Sequence, residues 1–390
     1  MVRLIRAVLV RLHRYLGLAT AAFLFVAGLT GAIIPFHDAL DAALNPALFL
    51  ANGGAALSPS ALASAVERTD PEARVAFVTV NAEPGRSAIL YVEPREAGAE
   101  IAYNQVFADP ASGAVLGRRQ YGGCCLQRRA VIPFLYELHR RLAMPGHWGD
   151  WLMGGVALLW SLDCFIALLL TLPRARPLLA RWAPAWRIKA TASPKRRIFD
   201  LHRAGGLWLW LALLPIALSG VYLNLGDAVF KPLVGLFSPL TPSPYDSPAP
   251  AASAGGPRLG FDAILSKASA YAAARRWPLQ VRGIYDDREA GFYVVDFGTG
   301  RESGLGPPWI VVDAASGAVL SAQVPGEGSV GDIVLRTQFP IHSGRILGLP
   351  GRILVSIAGL GVALLSVTGV VIWYRKRRAR LHRIARRAGG

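Results

Sequence analysis

Four long apolar runs punctuate the chain, at 15–36, 151–172, 207–225 and 353–374. Each is long enough to cross the roughly 30 Å hydrocarbon core of a bilayer as a helix. Between them the pattern changes to short alternating stretches, at 75–80, 87–92 and 102–107 and again at 280–284, 291–297 and 309–312, which predict strands. Helices are predicted over 58–67, where Ser58 caps and Pro59 opens the first turn, and over 261–273. Asp-x-x-Ser-Gly at 109–113 and 313–317 predicts a tight turn into a further short strand in each segment. The Pro-, Ser-, Ala- and Gly-rich stretch 238–260 reads as a loop, and Pro173, Pro177, Pro184 and Pro194 break the segment after the second apolar run.

Composition agrees with a membrane protein. Hydrophobic residues form 53% of the 390 positions, and the mean hydropathy of +0.37 is high for a soluble enzyme. The first run follows Arg3, Arg6, Arg11 and Arg14, but no clear cleavage site succeeds Gly31, so it is read as a retained helix rather than a secretory signal. The net charge of +17 is unevenly spread: 1–14 carry four basic groups, 174–203 nine with one Asp, and 375–390 eight, so these stretches hold +20 and the remainder −3. Positive charge gathers on the cytoplasmic side, which places both termini there and 37–150 and 226–350 outside. The basic groups then serve topology and the lipid bilayer, not nucleic acid. The chain divides into 1–36 (N-terminus and first crossing), 37–148 (first periplasmic region), 149–173, a cytoplasmic loop 174–203, 204–226, 227–350 (second periplasmic region), 351–374 and a basic tail 375–390.

The chain also resembles itself. Leu12-His13-Arg14 with Gly17, Leu18 and Gly31 is matched by Leu201-His202-Arg203 with Gly206, Leu207 and Gly220, at an offset of 189. The Asp109 and Asp313 turns match at 204, and His139 with Pro145-Gly146 matches His342 with Pro350-Gly351. Two crossings per unit give both copies one orientation, which implies a parallel repeat about an axis along the membrane normal.

That axis would set His13 opposite His202 near one face and His139 opposite His342 near the other. Two facing imidazoles amid glycine and aromatic residues form a geometry for a bis-histidine haem, whereas zinc or copper would recruit further ligands that do not recur beside these histidines. Arg14, Arg203, Arg140 and Arg345 lie close by in sequence and are candidates to pair with haem propionates. The alternative is that the histidines are interfacial anchors and the glycines only tighten helix packing. His37 and His147 are reserve ligands near the outer face; His382 falls in the basic tail. Cys124 and Cys125 are adjacent but lack CxxC spacing, and with Cys164 they define no disulfide framework. Trp309 and Tyr293 read as core aromatics of the second outer segment rather than a ligand wall. No glycine-rich nucleotide motif occurs in a strand-to-helix setting.

On Leu12-His13-Arg14-Tyr15-Leu16-Gly17-Leu18, Leu201-His202-Arg203, the Asp-x-x-Ser-Gly turns, and His342-Ser343-Gly344-Arg345 leading to Pro350-Gly351-Arg352, the chain resembles the PepSY-associated transmembrane family. That family includes two-haem inner-membrane ferrisiderophore reductases. The resemblance implies a membrane α-helical fold, with four transmembrane helices from the tandem repeat and two small α+β PepSY-like periplasmic domains. It further implies two haem b groups and electrons from a cytoplasmic or quinol donor passing to a periplasmic ferric siderophore, which releases Fe(II). The competing expectations are a non-enzymatic membrane sensor or binding protein and a siderophore or iron transporter.

Overall fold

The computed structural model describes residues 2–96, 98–246 and 257–388. The central part of the expected 238–260 loop therefore lies outside the described residues. In chain order the principal elements are helix α1 (Val2–Ile33), α2 (Pro59–Glu67), strands β1 (Ala73–Thr79), β2 (Ala88–Pro94), β3 (Gln105–Ala108) and β4 (Val115–Arg119), then α3 (Val131–Arg141), α4 (Trp148–Thr171) and α5 (Pro194–Leu225). They continue with α6 (Phe261–Ala274), β5 (Val281–Asp287), β6 (Phe292–Phe297), β7 (Trp309–Asp313), β8 (Val319–Gln323), α7 (Val330–Ser343) and α8 (Gly348–Ala388). The chain forms two compact units: a helical unit of Met1–Pro35, Leu135–Val234 and Gln338–Gly390, and a sheet unit of Phe36–Phe134 and Gly235–Thr337.

Among the described residues the helical unit holds four helices long and apolar enough to cross a membrane, and only 22–39% of each apolar window is buried within the protein. The rest turns large apolar side chains outward, among them Phe25, Leu158, Leu162, Phe165, Leu211, Ile357 and Leu360. Lipid is the solvent that suits such a surface. The helices pack in a ring, α1 against α4 and α8, and α5 against α4 and α8. Lipid tails are as apolar as leucine, so close backbone approach has to supply the cohesion. Gly28 and Gly359 provide it between α1 and α8: a Cβ on Gly28 would lie 2.6 Å from the Gly359 carbonyl oxygen and 2.9 Å from the Ala363 nitrogen. The basic tail extends α8 as helix to Ala388, because Arg, Ala and Leu are strong helix formers and no Gly or Pro intervenes.

The sheet unit departs from the expectation of two small outer domains. Its strands form one antiparallel sheet in the order β4-β3-β2-β1-β5-β6-β7-β8. The two halves join where Phe77, Val78 and Thr79 of β1 pair with Tyr285, Ile284 and Gly283 of β5. Four strands alone would leave β1 and β5 as open edges, and pairing them satisfies both. Gly283 permits the junction, since a Cβ there would meet the Phe77 ring at 2.5 Å. Helices α2 and α6 cover one core built on Val78, Leu90, Val106, Ile264, Ile284, Val295 and Ile310. Their N-termini cap each other: Asp262 accepts from Ser58 Oγ at 2.8 Å and from the Ser60 amide at 2.9 Å, and Ser60 Oγ accepts from the Asp262 amide at 3.1 Å. Tyr293 is buried in this core and donates its hydroxyl to the Leu259 carbonyl at 2.7 Å.

Both Asp-x-x-Ser-Gly segments are tight turns. Asp109 accepts from the amides of Ala111 and Ser112 at 2.9 and 3.0 Å and from that of Asn52 at 2.9 Å. Asp313 repeats the first two contacts with Ala315 and Ser316 at 3.2 and 2.7 Å.

Gly28→Leu should destabilise the helical unit by about 1–3 kcal/mol, because neither helix backbone can retreat from the new side chain; thermal unfolding in detergent would show it, and an unchanged midpoint would contradict the packing. The hydrogen bond donated by the Ser112 backbone N–H holds the Asp109 carboxyl below the usual carboxylate range. Its contribution to stability is therefore complete above the unfolded carboxylate pKa of about 4 and is lost as pH falls through the lower folded value. Asp109→Asn should remove that contribution and flatten this part of the acid limb of an unfolding-versus-pH profile.

Candidate functional site

The helical unit brings the four repeated histidines together as two pairs. The His13 and His202 rings, on α1 and α5, lie 6.1 Å apart between centroids. Those of His139 and His342, on α3 and α7, lie 6.0 Å apart. Because α1 and α5 face each other across the ring of helices, the first pair bridges the bundle interior.

Each ring is fixed through Nδ1, and the partners decide the tautomer. His13 Nδ1 lies 2.9 and 3.0 Å from the two carboxylate oxygens of Asp163 on α4. A carboxylate accepts, so Nδ1 carries the proton. His202 Nδ1 is 3.0 Å from Thr368 Oγ1 on α8, whose own proton goes to the Leu364 carbonyl at 2.8 Å. His139 Nδ1 donates to the Ala27 carbonyl at 3.0 Å and to Thr30 Oγ1 at 3.1 Å, the hydroxyl proton of Thr30 being spent on Val26. His342 Nδ1 meets Ser219 Oγ at 3.0 Å, and that hydroxyl donates to the Pro215 carbonyl at 2.7 Å. All four imidazoles thus present an Nδ1 proton to a neighbouring helix, and no hydrogen bond to any of their Nε2 atoms occurs among the described residues. Gly31 lets the His139 ring lie flat on α1, where a Cβ would be 2.9 Å from its Cε1.

A cavity of about 390 Å³ opens beside the first pair. Its wall is largely apolar, with Leu18, Leu24, Trp160, Trp210, Leu213 and Leu365, and its rim is basic, with Arg6, Arg14, Arg203 and Lys376. Two of the cations are already engaged. Arg6 donates to the Leu170 carbonyl at 2.6 Å, and Arg203 pairs at 2.9 Å with Asp200, a fully buried carboxylate that also binds Arg196. Arg14 makes no hydrogen bond or ion pair among the described residues, and Lys376 lies over the Phe199 ring at 5.8 Å.

The other sequence candidates are placed elsewhere. Arg140 sits 3.8 Å from Glu137 on its own helix, and Arg345 stacks 5.9 Å from the Phe339 ring. His37 lies in the sheet unit and bonds Asp38 at 3.0 Å. The His147 side chain is 93% exposed and 3.7 Å from Asp150, so it does not join the His139–His342 pair. Cys124 and Cys125 stand side by side after β4, and Cys164 is buried in α4.

The expectation of two bis-histidine haem b groups is corrected here. Among the described residues no group of three or more His, Cys, Asp or Glu side chains is gathered where a metal ion would sit. Each pair offers two imidazoles, and the one carboxylate beside them is committed to Nδ1 of His13.

Sequence reasoning missed Asp163, Thr30, Ser219 and Thr368. Asp163 carried a signal, because a carboxylate inside an apolar run needs a partner at bilayer depth. The hydroxyl residues carried a subtler one: Thr30 and Ser219 are separated by the same 189 residues as His13 and His202.

Four apolar helices among the described residues and an antiparallel sheet unit define a multi-pass membrane protein with two histidine pairs in its helical unit. The chain belongs to the PepSY-associated TM region family, whose model matches residues 10–376. No curated protein matches the chain.

Asp163→Ala should leave the His13 N–H without an acceptor in the bundle interior and cost about 1–3 kcal/mol. A lowered unfolding midpoint with unchanged helix content by circular dichroism is the expected result.

Proposed function

We propose that the chain is a PepSY-type membrane binding protein, and that its helical unit holds an amphipathic ligand drawn from the bilayer. One observation carries this reading: the cavity of about 390 Å³ beside His13 and His202, walled by apolar side chains and rimmed by cations. Its size falls in the range of small-molecule sites, and its few polar groups converge on one region, as in sites that orient a mostly apolar ligand. The apolar body of the ligand lies against Leu24, Trp160, Leu213 and Leu365. Its polar end reaches the histidine pair and the rim, where Arg14 is uncommitted. The charge distribution that assigns 1–14 and 174–203 to the cytoplasm puts the cavity in the cytoplasmic leaflet of the inner membrane. Binding and sensing need no catalytic group, so this reading stands without the electron route.

Gly206 faces the cavity with open space beyond it, since a Cβ there meets only Leu365 Cδ2 at 4.0 Å. Gly206→Phe should fill the site without disturbing the bundle. Mass spectrometry of organic extracts from the purified protein should show an amphiphile retained in near-stoichiometric amount by the wild type and reduced at least tenfold in the variant. Equal retention by a folded variant would refute the proposal.

A further inference from the structure

The outer ends of α4 and α5 enclose a second cavity, separate from the one beside His13 and His202 and independent of what that one holds. We infer that it takes the headgroup of a phospholipid bearing a primary ammonium, a phosphatidylethanolamine of the outer leaflet, with one acyl chain laid along α4.

The two helices build this cavity by the way they meet. A Cβ on Gly154 of α4 would lie 2.4 Å from Leu225 Cγ on α5, and one on Gly220 would lie 3.3 Å from Ala157 Cβ, so the backbones approach closely here. Past that contact α5 gives way to a π-helical turn, Gly226–Phe230, a distortion that recurs at functional sites. On the other side α4 begins, with His147 just before its first turn and Asp150 within it, where a helix N-terminus favours a carboxylate. Together they enclose about 370 Å³, with a lining that includes His147, Asp150, Trp151, Tyr222, Asp227 and Lys231. That volume falls in the range of small-molecule sites.

The lining selects by charge. Asp150 and Asp227 bring two negative charges against one positive charge on Lys231, which pairs with Asp227, and His147 lies 3.7 Å from Asp150. An anionic headgroup meets an unfavourable field here, whereas a zwitterion sets its ammonium against the carboxylates and its phosphate toward Lys231. A primary ammonium offers three N–H donors to those carboxylates, and a quaternary one offers none. A quaternary group would need an aromatic cage instead. Tyr222 is engaged edge-to-face by Phe230 at 5.4 Å between centroids, which leaves Trp151 as a single wall.

Position assigns the ligand to the membrane rather than to free solution. The charge distribution that puts 1–14 and 174–203 in the cytoplasm puts this end of the helices at the outer face, where Trp148 and Trp151 are exposed at belt depth. From Trp151 an exposed apolar stripe runs along one face of α4 through Leu158, Leu162, Phe165 and Leu169. Gly155 interrupts the stripe next to the cavity: a Cβ there would meet nothing within 4 Å. The gap is a groove in which a hydrocarbon chain can lie against the helix backbone.

The test titrates the delipidated full-length protein in detergent with palmitoyl-oleoyl phosphatidylethanolamine, the corresponding phosphatidylcholine and phosphatidylglycerol, and soluble glycerophosphoethanolamine, following the first bound molecule by native mass spectrometry. The ethanolamine lipid should bind at least fivefold more tightly than the other two lipids and at least tenfold more tightly than the soluble headgroup. Asp150→Asn combined with Asp227→Asn should reduce its advantage over the choline lipid to twofold or less, and Gly155→Phe should weaken its binding at least fivefold. If the double variant does not fold, Asp227→Asn alone, at a side chain that is 89% exposed, should at least halve that advantage. Equal affinities for the three lipids, tighter binding of phosphatidylglycerol, a soluble headgroup that binds as well as the lipid, or a preference unmoved in the folded variants would each overturn the inference. Gly206→Phe fills the cavity beside the first histidine pair and should leave the preference intact; its loss there would also overturn the assignment, while the amphiphile retained at that cavity decides the other reading separately.

Discussion

An imidazole at bilayer depth brings one N–H and one lone pair to a place where no water can replace a missing partner. The helical unit meets half of that demand four times in the same way, by giving each Nδ1–H to an oxygen on a neighbouring helix: Asp163, Thr368, Thr30 with Ala27, or Ser219. Each bond fixes a ring and also the spacing of the two helices it joins.

The two units answer opposite solvents. In the helical unit, apolar side chains turned outward cost nothing in lipid, so cohesion falls to backbone contact at Gly28 and Gly359 and to the histidine bonds. In the sheet unit, edges are the liability, and the structure removes two of them by pairing β1 with β5 into a single eight-stranded sheet. Reciprocal capping of α2 and α6 through Ser58, Ser60 and Asp262 ties the same two chain segments together a second time.

Much of this was legible in the chain because it is written in local periods. Apolar runs marked the four long helices, alternation marked the strands within a few residues, and the Asp-x-x-Ser-Gly turns lie where expected. The β1–β5 pairing was not legible, since strands about 200 residues apart leave no mutual pattern in either segment. The histidine pairs were visible as repeated positions, but the partners of their Nδ1 atoms were not. Thr30, Ser219 and Thr368 sit in apolar runs and bond backwards to their own helix carbonyls, as such residues do with or without a further role. The cavity was invisible for a different reason: it is defined by where side chains are absent. The haem expectation counted histidines and could not see how few other donors would gather around them.

The two ends of the first pair are unequal although equivalent positions supply them. His13 to His202 is an offset of 189, and Asp163 to Thr368 is one of 205, the same spacing that relates Pro145-Gly146 to Pro350-Gly351. Yet one histidine is backed by a carboxylate and the other by a hydroxyl. A carboxylate behind Nδ1 pushes electron density through the ring and makes Nε2 the stronger acceptor. A symmetric donor entering the cavity would therefore bond more strongly at His13 than at His202. The exchange of threonine for aspartate between the two positions gives the site a direction.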